Sequence, residues 1–199
     1  MDLSPTFDAH LQTLLKIMAA EGIRSAADGL AGMVGARISV HEPRVRLVPL
    51  AGIAALVGGP EAEAVGIYLQ ATGGVVGQIM LVAPYEKALE LVDLLMEQPA
   101  GTTRQLGALE RAALAEVGNL TASFFLNALA RRTGQDVRPT PPAVMVDMVG
   151  AILDIVAAVS GGMGEHVLLL EGAFLRDERE VDVTFWVLPD PAALAVFAE

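Results

Sequence analysis

The chain has 199 residues, which is long enough to bury a sizeable hydrophobic core in one domain or in two small ones. Its formal net charge of −11 argues against binding to nucleic acid, because phosphate contacts require clustered Lys and Arg. It contains no cysteine, which excludes disulfides, thiolate metal sites and a cysteine nucleophile and fits a cytoplasmic protein.

The first half is predicted from its apolar periodicity and its turn residues. Its elements are a long helix (7–34), two extended segments (37–41 and 44–48), a short helix (50–57), a hairpin (64–71 and 75–83) and a helix to about residue 96. Gly73 and Gly74 suit the turn of the hairpin, since glycine adopts the backbone angles that tight turns need. Residues 1–5 lack the basic region and apolar core of a secretion signal.

After a linker at 98–103 the same order of elements is predicted again. It comprises a long helix (104–133), an extended segment (136–140), an apolar helix (about 144–158), a hairpin (166–175 and 181–188) and a last helix to 197. We interpret the recurrence as an internal duplication, with repeats at about 7–98 and 104–198 in a single domain spanning 1–199. The predicted fold is α+β, with a central antiparallel sheet, flanking long helices and pseudo-twofold symmetry.

The strongest candidate for a membrane-spanning segment is the apolar stretch at residues 143–161. Asp147 and Asp154 lie within it, and each would cost roughly 2.5 to 3.5 kcal/mol at membrane depth. Their spacing of seven places both on one face of a helix, as expected for a side that meets water. No transmembrane span is therefore expected.

The second long helix carries the strongest candidate site. Apolar residues at steps of three and four predict its buried face, namely Leu106, Leu109, Ala113, Val117, Leu120, Phe124 and Ala128. Thr102 and Gln105 are predicted to form a capping box at its start, and Gly134 to close its end. His10, His41 and His166 share no metal-ligand spacing, and no phosphate-binding loop is present.

Glu116 and Asn119 lie one turn apart on a second face of this helix. Asn is unfavourable within a helix because its amide competes for backbone hydrogen bonds. By residue type alone, a solvated helix face is the default interpretation. The functional alternative is a carboxylate and an amide presented to a partner, where the amide, both donor and acceptor, orients a water molecule.

Residues 113–120, ALAEVGNL, followed by 125–129, FLNAL, resemble the CheC family. The same resemblance is seen in Pro141-Pro142 followed by Asp147, and in residues 44–50 leading to the glycines at 58–59. It runs from about residue 8 to residue 196 and includes both predicted repeats.

The resemblance implies a phosphatase of phosphorylated CheY, the chemotaxis response regulator, related to CheX and to the flagellar switch proteins FliY and FliM. In that family the Asn amide enters the regulator's active site and positions water for attack on the aspartyl phosphate, while the Glu pairs with the regulator's Lys. It therefore implies that Asn119 orients water and that Glu116 docks the partner. The regulator holds Mg²⁺, so no cofactor or metal is expected on this chain.

The chain departs from the family pattern in its first helix. Ile17 and Ala20 occupy the positions of a second Glu-x-x-Asn motif, so a single active site is expected. The alternative function is a non-catalytic adaptor of the same fold that binds a CheD-like deamidase or the flagellar switch. The intact pair of Glu116 and Asn119 favours the phosphatase.

Overall fold

The computed structural model describes residues 9–34, 38–40, 44–160, 166–176 and 179–189. In chain order the elements are α1 (Ala9–Val34), β1 (Ile38–Val40), β2 (Arg44–Pro49), α2 (Ile53–Leu56, after a 3-10 turn at Leu50–Gly52), β3 (Glu63–Gly73), β4 (Gly77–Pro84), α3 (Tyr85–Leu95), α4 (Ala108–Thr133), β5 (Val137–Pro139), β6 (Ala143–Met148), α5 (Val149–Ser160), β7 (His166–Arg176) and β8 (Arg179–Pro189). The last helix predicted from the sequence lies outside the described residues.

The described strands form one antiparallel sheet of eight strands. Its order is β1-β7-β8-β4-β3-β5, with β2 also on β7 and β6 also on β3. Two buried clusters cover the sheet, one under α3 and α4 and the other under α2 and α5. Because helices pack on both faces, β4 is buried along nearly its whole length. The predicted α+β class with an antiparallel sheet and flanking helices is confirmed.

The two halves of the chain repeat one plan. Helices α1 and α4 have the same length and begin 99 positions apart, and the same offset separates β1 from β5 and β2 from β6. The strand order has the same pattern from either edge of the sheet, with β4 and β8 at its centre. This arrangement is what pseudo-twofold symmetry requires, whereas a common origin of the two halves stays a prediction.

The predicted apolar helix at 144–158 is wrong in its first third. Residues up to Met148 form β6, which pairs with β3 so that Val146 lies opposite Val65, and α5 begins only at Val149. Pairing with an existing strand outweighs the helical pattern of a short apolar run. Asp147 and Asp154 therefore do not share a helix, although both are exposed.

Among the described residues, α4 is the one helix long and apolar enough to cross a membrane by length and composition. Half of its apolar window is buried inside the protein. Leu114, Val117 and Phe125 belong to the larger core cluster with residues of the sheet. We therefore interpret α4 as a core helix.

Helices α1 and α4 pack closely because α1 presents glycines to α4. A Cβ on Gly22 would lie 2.7 Å from the Cα of Phe125, and one on Gly29 would overlap the ring of Phe124. Phe125 is buried, whereas Phe124 is half-buried against α1. Glu21, next to Gly22 on α1, accepts a hydrogen bond from Arg132 of α4 at 2.6 Å. That hydrogen bond is the main cause that lowers the pKa of Glu21.

Candidate functional site

The start of α4 differs from the predicted capping box. Its N-cap is Gly107, which makes no side-chain cap. The hydroxyl of Thr102 instead donates to the carbonyl of Pro99, and the backbone N–H groups of Thr102 and Thr103 donate to Asp93. The end of the helix is as predicted, because Gly134 adopts a left-handed conformation and its N–H donates to Ala130.

The buried face of α4 is rotated from the predicted one. Leu109 is 63% exposed, whereas Leu114, Gly118 and Thr121 are buried. The helix meets β3 through Gly118, where a Cβ would overlap the side chain of Ile67. Since Gly118 lies between Glu116 and Asn119, this close approach sets how deeply the candidate pair sits against the sheet.

The structure brings Glu116 and Asn119 into one open groove with a volume of about 460 Å³. Glu116 is exposed at the groove, and Asn119 is half-buried in it. Ala112 and Ala115 line the same helical side, and their small side chains leave space above the sheet. The predicted pair therefore lines a concave surface, which a plain solvated helix face does not have.

The opposite side of the groove is a segment that we call the proline wall, consisting of Pro139, Thr140, Pro141 and Pro142. Pro139 pairs with Ala71 at the end of β5, and Ala143 pairs with Tyr68 at the start of β6. Ala143 is thus four residues beyond Pro139, whereas their partners on β3, Tyr68 and Ala71, are only three residues apart. The extra residue makes a bulge, a feature that often re-aims the chain near functional sites.

Hydrogen bonds to Gln70 of β3 hold the bulge in place. The backbone N–H of Gln70 donates to the Thr140 hydroxyl oxygen at 2.9 Å, and the N–H of Thr140 donates to the Gln70 carbonyl at 2.8 Å. The Gln70 side chain in turn donates to the hydroxyl of Tyr68. The sequence predicts an extended segment only at 136–140 and offers Pro141 and Pro142 as part of the family resemblance. These prolines are the signal from which a rigid wall could have been predicted.

The groove offers an amide, a carboxylate and a hydroxyl, and the described residues that line it include no His, Cys or Lys. Such groups can bind and orient a water molecule or a partner's side chain. Among the described residues, no three His, Asp or Glu side chains come together in a way that could hold a metal ion. The groove is therefore suited to orient groups that a partner brings into it.

Comparisons with known proteins point to the same region. The model of the CheC-like family matches residues 109–146, which include most of α4 and the proline wall. The chain is also 25% identical over 173 residues to the CheY-P phosphatase CheC of Bacillus subtilis (strain 168), covering 85% of this chain and 83% of that protein. The resemblance to the CheC-like family is confirmed.

Solved structures share the fold. The crystal structure of FliY from Thermotoga maritima superposes with a TM-score of 0.75 and 17% identity, covering 100% of this chain and 97% of that one. A chain of the CheX–CheY–BeF₃–Mg²⁺ complex from Borrelia burgdorferi matches with a TM-score of 0.52 and 18% identity, covering 89% and 97%. At these identities the likeness shows a common fold of the CheC, CheX and FliY type.

Proposed function

We propose that this protein is a cytoplasmic phosphatase that accelerates hydrolysis of the aspartyl phosphate of a CheY-type response regulator. The observation that carries the proposal is the shared position of Glu116 and Asn119 in one groove. It is supported by the CheC-like match over residues 109–146 and by the similarity to a CheY-P phosphatase. The CheX–CheY complex supports a CheY-type partner, because a protein of this fold binds one there.

In the proposed reaction, the receiver domain brings its phosphoryl group to Asn119. The amide oxygen accepts a hydrogen bond from a water molecule and aims the water's oxygen at phosphorus, opposite the aspartyl oxygen. A new P–O bond forms from water, the aspartyl P–O bond breaks, the water's proton passes to the phosphate, and the Asp carboxylate is restored. Phosphoryl transfer of this kind depends mainly on positioning and charge stabilisation.

Glu116 has the docking role in this proposal. Its exposed carboxylate accepts a hydrogen bond from the receiver's active-site Lys and so sets the orientation of the two proteins. The receiver supplies Mg²⁺ as well as the Lys. We assign no second site to the first helix. The positions that match Glu116 and Asn119, 99 residues earlier, are Ile17 and Ala20, which have neither a carboxylate nor an amide.

The second candidate function is a non-catalytic adaptor that binds the flagellar switch or a CheD-like deamidase. The observation that favours it is the fold shared with FliY at a TM-score of 0.75. A fold common to several proteins does not specify an activity. The two candidates differ in one measurable property, the release of phosphate.

The deciding experiment measures phosphate release from a phosphorylated CheY-type receiver with Mg²⁺ present. Wild type should accelerate release, and Asn119→Ala should lose on the order of 100-fold of that acceleration, because the water is no longer positioned. Asn127→Ala is the matched control, since Asn127 is an exposed amide on the same helix outside the groove, and it should keep full activity. If wild type accelerates release from none of several receivers, the adaptor is the better function.

A further inference from the structure

The proline wall is held rigid before any partner arrives. It is anchored at one end by the pairing of β5 with β3 and at the other by the pairing of β6 with β3. Thr140 adds two hydrogen bonds to Gln70 in the middle. Proline fixes its own φ angle and restricts the residue before it, so the three prolines remove much of the remaining freedom. Such a surface loses little conformational entropy on binding.

The groove has an uneven distribution of polar groups. The proline wall carries no charge, and on the facing helix Ala112 and Ala115 add apolar surface beside Glu116 and Asn119. Glu116 and Asn119 are confined to one side, on α4. A partner that fits this groove therefore has a polar or charged centre with an apolar side chain directly beside it.

The position of Asn119 places a partner that reaches it beside the proline wall. Asn119 is half-buried in a groove bounded by Pro139, Thr140, Pro141 and Pro142. A receiver whose phosphoryl group reaches the Asn119 amide enters this open groove, with the wall beside it. A specific protein–protein interface buries about 1,200–2,000 Å² in total, far more than two side chains of one helix provide.

We infer that the proline wall is the second half of the docking surface, and that it accepts a receiver domain with an apolar side chain next to its phosphorylated Asp. This inference rests on the proposed function. Helix α4 supplies the groups that act on the phosphoryl site, whereas the wall supplies rigid apolar contact. The wall thereby discriminates among receivers that carry the same reactive centre.

The test is the affinity for a CheY-type receiver loaded with BeF₃⁻ and Mg²⁺, measured by titration calorimetry. Pro141→Glu places a charge on the exposed part of the wall and should weaken binding at least about tenfold. Pro99→Glu is the matched control, because Pro99 is an exposed proline outside the groove, and it should bind as wild type does. In single-turnover phosphate release, Pro141→Glu should reach the wild-type maximum rate when the variant is in saturating excess over the phosphorylated receiver.

A second pair of variants guards against misfolding of the bulge. Thr140→Val keeps the shape of the side chain but removes the acceptor for the Gln70 N–H, and it should weaken binding several-fold. Thr140→Ser keeps the acceptor and should restore wild-type affinity. Thermal unfolding of all variants shows whether the fold is intact.

The outcomes separate the inference from the proposed function. If phosphate release depends on Asn119 but folded Pro141→Glu and Thr140→Val bind the receiver as tightly as wild type, the docking inference is overturned and the phosphatase remains. If wild type releases no phosphate yet binds the loaded receiver in a way that depends on Pro141, the phosphatase proposal fails and the docking surface stands.

Discussion

At the scale of single residues, Asn119 occupies a position that is unfavourable for the helix itself. An Asn within a helix costs up to about 0.7 kcal/mol relative to Ala. Its half-buried amide is the one amide side chain among the described residues that line the groove. A residue that reduces helical stability while facing a concave surface is better explained by binding than by folding.

Asp93 is a residue whose role is structural. Its side chain is fully buried, which by itself raises the pKa of the carboxyl, but hydrogen bonds from Thr103 and from the backbone N–H groups of Gly101 and Thr102 outweigh burial and lower it. The carboxylate connects the end of α3 to the linker that leads into α4. It accepts a hydrogen bond from the backbone N–H of Thr102, the group that a capping box would have left to the side chain of Gln105.

We expect Asp93→Asn to lower the free energy of unfolding at pH 7 by about 1–3 kcal/mol, because a charged acceptor is replaced by a weaker one. The native pKa lies below the usual value, so this contribution is present above the unfolded pKa and is lost as pH falls through the native pKa. The difference between wild type and variant should therefore shrink below about pH 4. Urea unfolding from pH 7 to pH 3 measures it.

Asp154→Asn is the control for this experiment. Asp154 is exposed on α5, and its substitution should change stability by less than about 0.5 kcal/mol. The assigned role of Asp93 would be contradicted if wild type and Asp93→Asn had the same free energy of unfolding at pH 7, or if the difference between them grew as pH falls.

At the scale of elements, the close packing of α4 on β3 at Gly118 determines how deep the groove is. We expect Gly118→Ala to destabilise the protein by about 1–3 kcal/mol, because the new methyl group meets the side chain of Ile67 within a strand that cannot move away. This cost exceeds the gain of about 1 kcal/mol that Ala offers over Gly in a helix. Urea unfolding measures the change, and phosphate release should fall with it.

Two variants make the Gly118 prediction specific. Gly32→Ala in α1 meets open space, so it should stabilise the protein by about 0.5–1 kcal/mol, and it shows the propensity effect alone. Ile67→Ala removes the methyl group that Gly118→Ala would meet, so the double variant should be less destabilised than the sum of the two single ones. Additive effects would show that the two side chains do not compete for the same space.

Local sequence patterns predict some elements of this fold and miss others. The long helix, the hairpins and the pair of Glu116 and Asn119 follow from local periodicity and from a short motif, which a single sequence contains. The start of β6 and the rotation of the α4 face depend on pairing with β3 and packing with α1, which local patterns do not record. The proline wall was missed as part of the site because a bulge is defined by the strand opposite it.

At the scale of the whole molecule, the two halves are interlocked through the sheet. Strands β5 and β6 of the second half pair with β3 of the first half, and β1 and β2 of the first half pair with β7 of the second. The groove also depends on contacts between the two halves. Its helix and wall come from the second half, but Ile67 and Gln70, which support them, come from the first.

We therefore expect the fragments 1–98 and 104–199 to be unstable when each is produced alone. Each would leave the edge of a hairpin unpaired and one face of its helices uncovered, and small domains cannot lose that much buried surface. Circular dichroism during thermal unfolding should show no cooperative transition for either fragment, whereas the two produced together should recover one. Phosphate release should follow the same pattern, since the wall is anchored to Gln70 of the other fragment. A cooperative transition and phosphate release by fragment 104–199 alone would instead mean that the second half is an independent domain with a complete site.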